Sequence, residues 1–288
     1  MADVAGHPLT ACWVLLTQGD RLSELETAVR SIREVVPNPE ILIVDNGGGG
    51  VSLDEVEVVS LGENIGVPAG RDLAVRSVDS EVIFFLDDDA QVVGHWPCQA
   101  LERFAADDRL AVISMRLVDE CNATARRHVP RIGNLGSERN GDVATFLGGA
   151  CAVRTSAYRQ VGGYWPELVY SHEELDLSWR LIDTGYRVEY EPNFVVFHPR
   201  TEISRHADGW WLTGRNRVWI ARRNLPAVIV LVHTLVWLVL GALRAPGGTC
   251  RRAYLRGWRS GWGGRVCRRP INWQTVWWLT RLGRPPVV

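Results

Sequence analysis

Three consecutive aspartates, Asp87, Asp88 and Asp89, end an apolar run in the stretch VIFFLDDDA. Like charges at adjacent positions repel, and the arrangement becomes tolerable when a divalent cation neutralises them. Hard carboxylate oxygens favour Mg2+ or Mn2+, ions that keep water ligands and also bind a diphosphate. Asp87 and Asp89 form a D-x-D pair in which one carboxylate can take the metal while the other contacts a ribose. For the triplet taken alone, a solvated acidic turn is the plain alternative.

The elements around the triplet weigh on that choice. ACWVLLT (11–17), EILIVDN (40–46) and EVIFFL (81–86) read as buried strands, VEVVSL (56–61) as a shorter strand, and RLSELETAVRSIREVV and AGRDLAVRSV (69–78) as helices between them. Strands alternating with helices imply a mostly parallel sheet with both faces covered. Ligands of such sheets gather beyond the carboxyl ends of the strands. Thr17, Asp45, Asn46 and the loop ENIGVPAGRD (63–72) fall at such ends, as does the triplet. Further on, LAVISMRLV (110–118) and VATFLGGACAVR (143–154) read as strands. SHEELDLSWRLIDTG (171–185) reads as a helix with a Ser171–Glu174 capping box and Gly185 at its close. YRVEYEPNFVVFHP (186–199) is strand material ending in His198.

Charge divides the chain. Residues 209–288 hold 14 arginines and no acid, for a net +14 against −15 in residues 1–208, and nine of the 13 tryptophans lie in the basic part. The expected organisation is a catalytic domain over 1–208 and a basic, helical extension over 209–288. All 32 basic residues are arginine, so no lysine Schiff base or P-loop lysine is available. Six scattered cysteines without a C-x-x-C pair argue against structural zinc and fit a reducing cytosol. The first residues lack a basic n-region, so no signal peptide is expected.

IVDNG, ENIGVPAGRD, FLDDDA, FLGGACAVR and HEELDLSWRL, in this order and spacing, resemble a family 2 glycosyltransferase of the GT-A fold. The resemblance covers roughly residues 9–205. It implies an inverting, metal-dependent transfer from a nucleotide-diphosphate sugar. Thr17 and Asp45 then lie where the base is held, with Asp45 accepting from a base N–H. Arg71 lies near the nucleotide or diphosphate, and Asp87 and Asp88 belong with the nucleotide-binding residues. Asp89 is the metal ligand, with His198 completing the metal site alongside Asp87. Gly148 and Gly149 let backbone approach the sugar or acceptor. HEELDL resembles the family's E-D-x-D-L segment, which makes Glu174 the base, Glu173 its rival and Asp176 a second carboxylate of mixed role. Glu174 departs from the family's usual aspartate by one methylene. For Glu174 the competing reading is a helix cap, and for Asp176 a pair with Arg180.

Ala227 to Leu243 is a 17-residue apolar stretch of roughly 26 Å, short of the ~30 Å hydrocarbon core. Interleaved arginine and tryptophan fit an interfacial segment on the anionic inner face of the cell membrane. A lipid-linked or cell-envelope glycan acceptor follows as the expectation. A core or dimer helix is the competing reading, and no nucleic acid is expected. A nucleotidyltransferase lacks its glycine-rich, lysine-bearing loop here, a Rossmann oxidoreductase lacks G-x-G-x-x-G, and a non-catalytic scaffold would have lost the carboxylates.

Overall fold

The computed structural model describes residues 9–132, 136–200 and 208–287. Its frame is a nine-stranded sheet. The first half comprises β1 (Ala11–Thr17), β2 (Glu40–Asp45), β3 (Glu57–Ser60) and β4 (Val82–Asp87), all mutually parallel in the order β3-β2-β1-β4. The second half is mixed. It contains β5 (Gln91–Val93), β6 (Leu110–Val118), β7 (Gly141–Asp142), β8 (Ala150–Arg154) and β9 (Arg187–Phe197). β8 runs antiparallel between β4 and β6, while β6 and β9 are parallel.

Alternation along each strand feeds two cores, because successive side chains point to opposite faces. On β1, Cys12 and Val14 enter one cluster while Trp13 and Leu15 enter the other. Helix α1 (Leu22–Val35) covers the second face with Leu25, Ala28, Val29 and Ile32. Helix α2 (Val67–Ser77) covers the first face with Ala74 and Val75, and Pro68 sits in its first turn where no amide partner is lost. α3 (Pro97–Ala106), α4 (Thr155–Gln160) and α5 (Glu173–Asp183) complete the flanking layers.

Register brings the expected site together. Thr17 is opposite Asp45, and Leu16 opposite Asp87, so the polar ends of β1, β2 and β4 share one rim. The expected capping box does not form. Ser171 and His172 both have φ of +74°, α5 begins at Glu173, and no side chain caps it. The reason lies outside the local sequence: the Asn216 side chain reaches the carbonyls of Leu168, Tyr170 and Ser171 and sets the path of the turn. Gly185, at φ +90°, does stand just past the C-terminus of α5, as the sequence predicts.

Residues 209–287 form α6 (Gly209–Asn224), α7 (Ala227–Arg244), α8 (Gly247–Ser260) and α9 (Trp273–Arg281). The charge boundary at 208 is not a packing boundary. Ile220, Ala221, Leu225, Val230, Ile271 and Leu279 join the cluster that holds Leu177, Trp179 and Leu181 of α5. Asn224 donates to Asp176 at 2.7 Å, and Thr275 to Asp183 at 2.7 Å.

Candidate active site

A cavity of about 890 Å3 opens at the strand rim. The three aspartates of its acidic end are held by two arginines. Arg71, buried on α2, donates to Asp87 at 2.9 Å, and its guanidinium lies 5.5 Å over the Phe85 ring. Arg21, just before α1, pairs with Asp88 at 2.7 Å and with Asp89. Burial pushes the Asp88 carboxyl up to about 6, against the pull of the Thr17 hydroxyl and of Arg21.

His198 meets the triplet from the end of β9. Its Nε2 lies 3.3 Å from Asp89 and 3.7 Å from Asp87. Its Nδ1 donates to the Pro199 carbonyl at 2.8 Å, which in the neutral ring leaves the Nε2 lone pair facing the carboxylates. One ligand atom from each of Asp87, Asp89 and His198 falls within 4.8 Å of the others. Two carboxylates and an imidazole fit Mg2+ or Mn2+ and leave coordination positions for water and phosphate oxygens.

Gly148 and Gly149 have a packing reason within the chain itself. A Cβ on Gly149 would overlap the Asp87 carboxylate, and one on Gly148 would overlap both Glu174 and Arg71. The two glycines make room for the chain's own side chains, whatever approaches later.

Glu173 and Glu174 begin α5 and line the cavity side by side. Burial raises both carboxyls. Glu173 is pushed up to about 8, with repulsion from Glu174 as the next cause, and its Oε2 has no partner among the described residues. Glu174 is raised less freely because Arg71 opposes the effect from 3.8 Å. Of the two, Glu174 is the carboxyl with an arginine as the largest opposing influence, which favours its charged form.

Two of the expected carboxylates do not line the cavity. Asp45 is buried, and its carboxylate accepts from the amides of Gly47, Gly49, Gly50 and Val51 and from the Ser60 hydroxyl. That fills the lone pairs of a carboxylate and leaves none for a base N–H in this arrangement. Asp45 instead shapes the glycine loop beside the rim. Asp176 is fully buried between Arg180 (2.6 Å), Asn224 and Arg223 (3.6 Å), which ties α5 to α6. Sequence reasoning missed Arg21, whose signal was the need for a cation near three aspartates. It also missed Asn216 on α6, which carries no local motif.

Residues 20–162 match the family described as Glycosyl transferase family 2. Over 221 aligned residues the chain is 29% identical to the pre-mycofactocin glycosyltransferase of Mycobacterium tuberculosis, covering 70% of this chain and 42% of that protein. It is 27% identical to the O-antigen chain rhamnosyltransferase RfbN of Salmonella typhimurium over 155 residues, 48% of this chain and 49% of that one. The chain thus spans less than half the length of these curated relatives. Among solved structures, GalNAc-T7 with UDP, GalNAc and Mn2+ superposes with a TM-score of 0.63 at 15% identity, covering 90% of this chain and 55% of that one. The mannosyltransferase PcManGT of Pyrobaculum calidifontis, in complex with GDP-Man and Mn2+, gives 0.53 at 16% identity, covering 97% and 75%. These structural likenesses establish the GT-A fold.

Proposed function

We propose that this chain, a member of glycosyltransferase family 2, moves a sugar from a nucleotide-diphosphate donor to an acceptor hydroxyl with inversion. The observation that carries the reading is the pairing, at one rim, of a three-ligand metal set with an ionisable carboxylate at the start of α5. Asp87, Asp89 and His198 would hold Mg2+ or Mn2+, which when bound supplies positive charge to the departing diphosphate.

The remaining work belongs to the chain's own residues. Glu174 takes the proton of the acceptor hydroxyl as its oxygen bonds to the anomeric carbon and the bond from that carbon to the diphosphate oxygen breaks. Arg71 favours the charged form of Glu174 and fixes Asp87. Gly148 keeps the space for that carboxylate open. Thr17 and Asp88 complete the polar rim on the donor side, and Asp45 contributes by holding the glycine loop.

The same reading places the enzyme at a membrane surface. α7 exposes Leu231 and Leu235 (each 59%), Val239 (58%) and Leu243 (71%), while Val230, His233, Thr234 and Trp237 are buried against the rest of the protein. An 18-residue helix of mean hydropathy 2.1 with one packed face suits a position in the lipid interface. Exposed Arg251, Arg252, Arg256 and Arg259 on α8 suit anionic headgroups. A glycan acceptor carried on a lipid at the inner face fits this arrangement.

Glu174→Gln tests the chemistry. The amide keeps the size of the side chain but accepts no proton, so transfer should fall roughly 10^2- to 10^4-fold, while nucleotide-sugar binding stays near normal. A collapse with Glu173→Gln and none with Glu174→Gln would reassign the base.

A further inference from the structure

The cavity does not end at the carboxylates. It continues under the extension, where Arg217 of α6, Arg244 of α7 and Trp237 of α7 line it. Arg284, beyond α9, lines an adjoining pocket of about 300 Å3 together with Arg217 and Glu174.

Arg217 is 5% exposed, and its Nε and Nη1 have no hydrogen-bond partner among the described residues. Burial pulls its guanidinium down to about 9, and Arg284 and Arg244 pull in the same direction. Arg284 is itself pulled down by burial and by Arg244. The group opposing this on Arg217 is the Tyr254 hydroxyl, uncharged at neutral pH, and no carboxylate takes that part among the described residues. Trp237 steadies the cluster, with the Arg217 guanidinium 3.4 Å and the Arg244 guanidinium 4.9 Å from its ring centre. A ring face orients a guanidinium and offsets part of its desolvation, but it brings no negative charge. A buried cation without a counter-charge is strongly unfavourable, and its unused donors are set to receive an anion.

We propose that Arg217, Arg244 and Arg284 form an oxyanion subsite at the extension end of the cavity that takes a phosphate group of the acceptor. Three cations and several free N–H donors match a multiply charged, many-oxygen anion better than a single carboxylate. The continuity of the cavity sets this phosphate on the acceptor side of Glu174, opposite the donor diphosphate. That the phosphate is the acceptor's rests on the transferase reading; that the pocket binds phosphate does not.

The test uses the full chain in buffer free of divalent ions, with calorimetric titration of methyl phosphate, hexyl phosphate and acetate. Methyl phosphate should bind, acetate should bind at least about tenfold more weakly, and Arg217→Met should lose roughly tenfold or more of the phosphate affinity. Methionine keeps the apolar stem against Trp237 and removes the unpaired charge, so the variant should melt no lower than the parent. Arg284→Gln serves as a second variant should Arg217→Met misfold, with the same loss expected. Tighter binding of hexyl than of methyl phosphate assigns the group to a lipid, and equal binding assigns it to a soluble acceptor. Phosphate affinity unchanged in both variants, or acetate binding as well as phosphate, overturns the proposal. A parallel titration of the parent protein with nucleotide sugars and Mn2+ separates the two readings. Donor binding without phosphate binding sinks the subsite alone, and phosphate binding without donor binding sinks the transferase reading.

Discussion

At the acidic end of the cavity, charge is answered from within the chain: Arg71 holds Asp87, and Arg21 holds Asp88 and Asp89. At the basic end, Arg217 stands over Trp237 with two other arginines acting on it, and no carboxylate offsets them among the described residues. Both ends are costly arrangements, since like charges are gathered where water is scarce. The first is stable before any ligand arrives because arginines occupy the place of the cation. The second depends on what enters. On the proposed reading, one chain keeps a metal-and-diphosphate site folded before its ligands arrive and leaves an anion site open nearby.

Breaking the internal neutralisation should make the two ends alike. Arg21→Ala leaves Asp88 and Asp89 without their cation, so in chelator the protein should lose roughly 2 kcal/mol of stability, a figure reduced for the partial exposure of Arg21. Adding Mn2+ should restore most of it, read as the melting temperature with and without the ion. Equal melting in chelator would mean that Arg21 does not hold the triplet.

The glutamate pair sharpens the comparison, because Glu173 is a buried acid whose Oε2 has no hydrogen-bond partner among the described residues. Its carboxyl is raised from its ordinary value of 4.5 to about 8. A raised acid favours the fold most when protonated, so its contribution is fully present below pH 4.5 and is lost as pH rises through about 8. Glu173→Gln should flatten the decline in stability across that window, which runs at up to about 1.4 kcal/mol for each pH unit. Thermal melts of both proteins at pH 5 and pH 8 give the answer, and parallel pH curves would contradict the assignment.

The smallest effect is expected on the outer surface. Leu231→Glu with Leu235→Glu should weaken sedimentation with anionic vesicles about fivefold, since two half-exposed leucines contribute modest burial. High salt should release the parent protein only in part. Indifference of the parent to such vesicles would leave the α7 face to a protein partner.

Much of this was legible in the sequence, for identifiable reasons. The strands of the parallel half announce themselves by length and β-branched content, and a carboxylate triplet at a strand end points to a cation. His198 and the two glutamates followed from resemblance and lie at the cavity in the structure. What stayed hidden was set by long reach. Arg21 answers aspartates 67 and 68 positions away. The S-x-x-E pattern at Ser171 is overridden by Asn216, which acts on the loop from 45 residues away. Asp45 reads as a base contact by position, yet a loop of glycine amides consumes its oxygens. The division at 208 followed charge, whereas packing follows apolar faces, and α6 offers Ile220 and Ala221 to the core.

The central claim is that Asp87, Asp89 and His198 hold a divalent ion that the nucleotide sugar needs. Calorimetric titration of UDP-, GDP- and dTDP-sugars into the full chain tests it most directly, with Mn2+, with chelator, and in Asp89→Ala. The account predicts that one of these nucleotide sugars binds with Mn2+ and binds at least about tenfold more weakly in chelator, and that Asp89→Ala loses the metal effect while remaining folded by circular dichroism. Equal binding in chelator and in Mn2+, with Asp89→Ala indistinguishable from the parent, would contradict it.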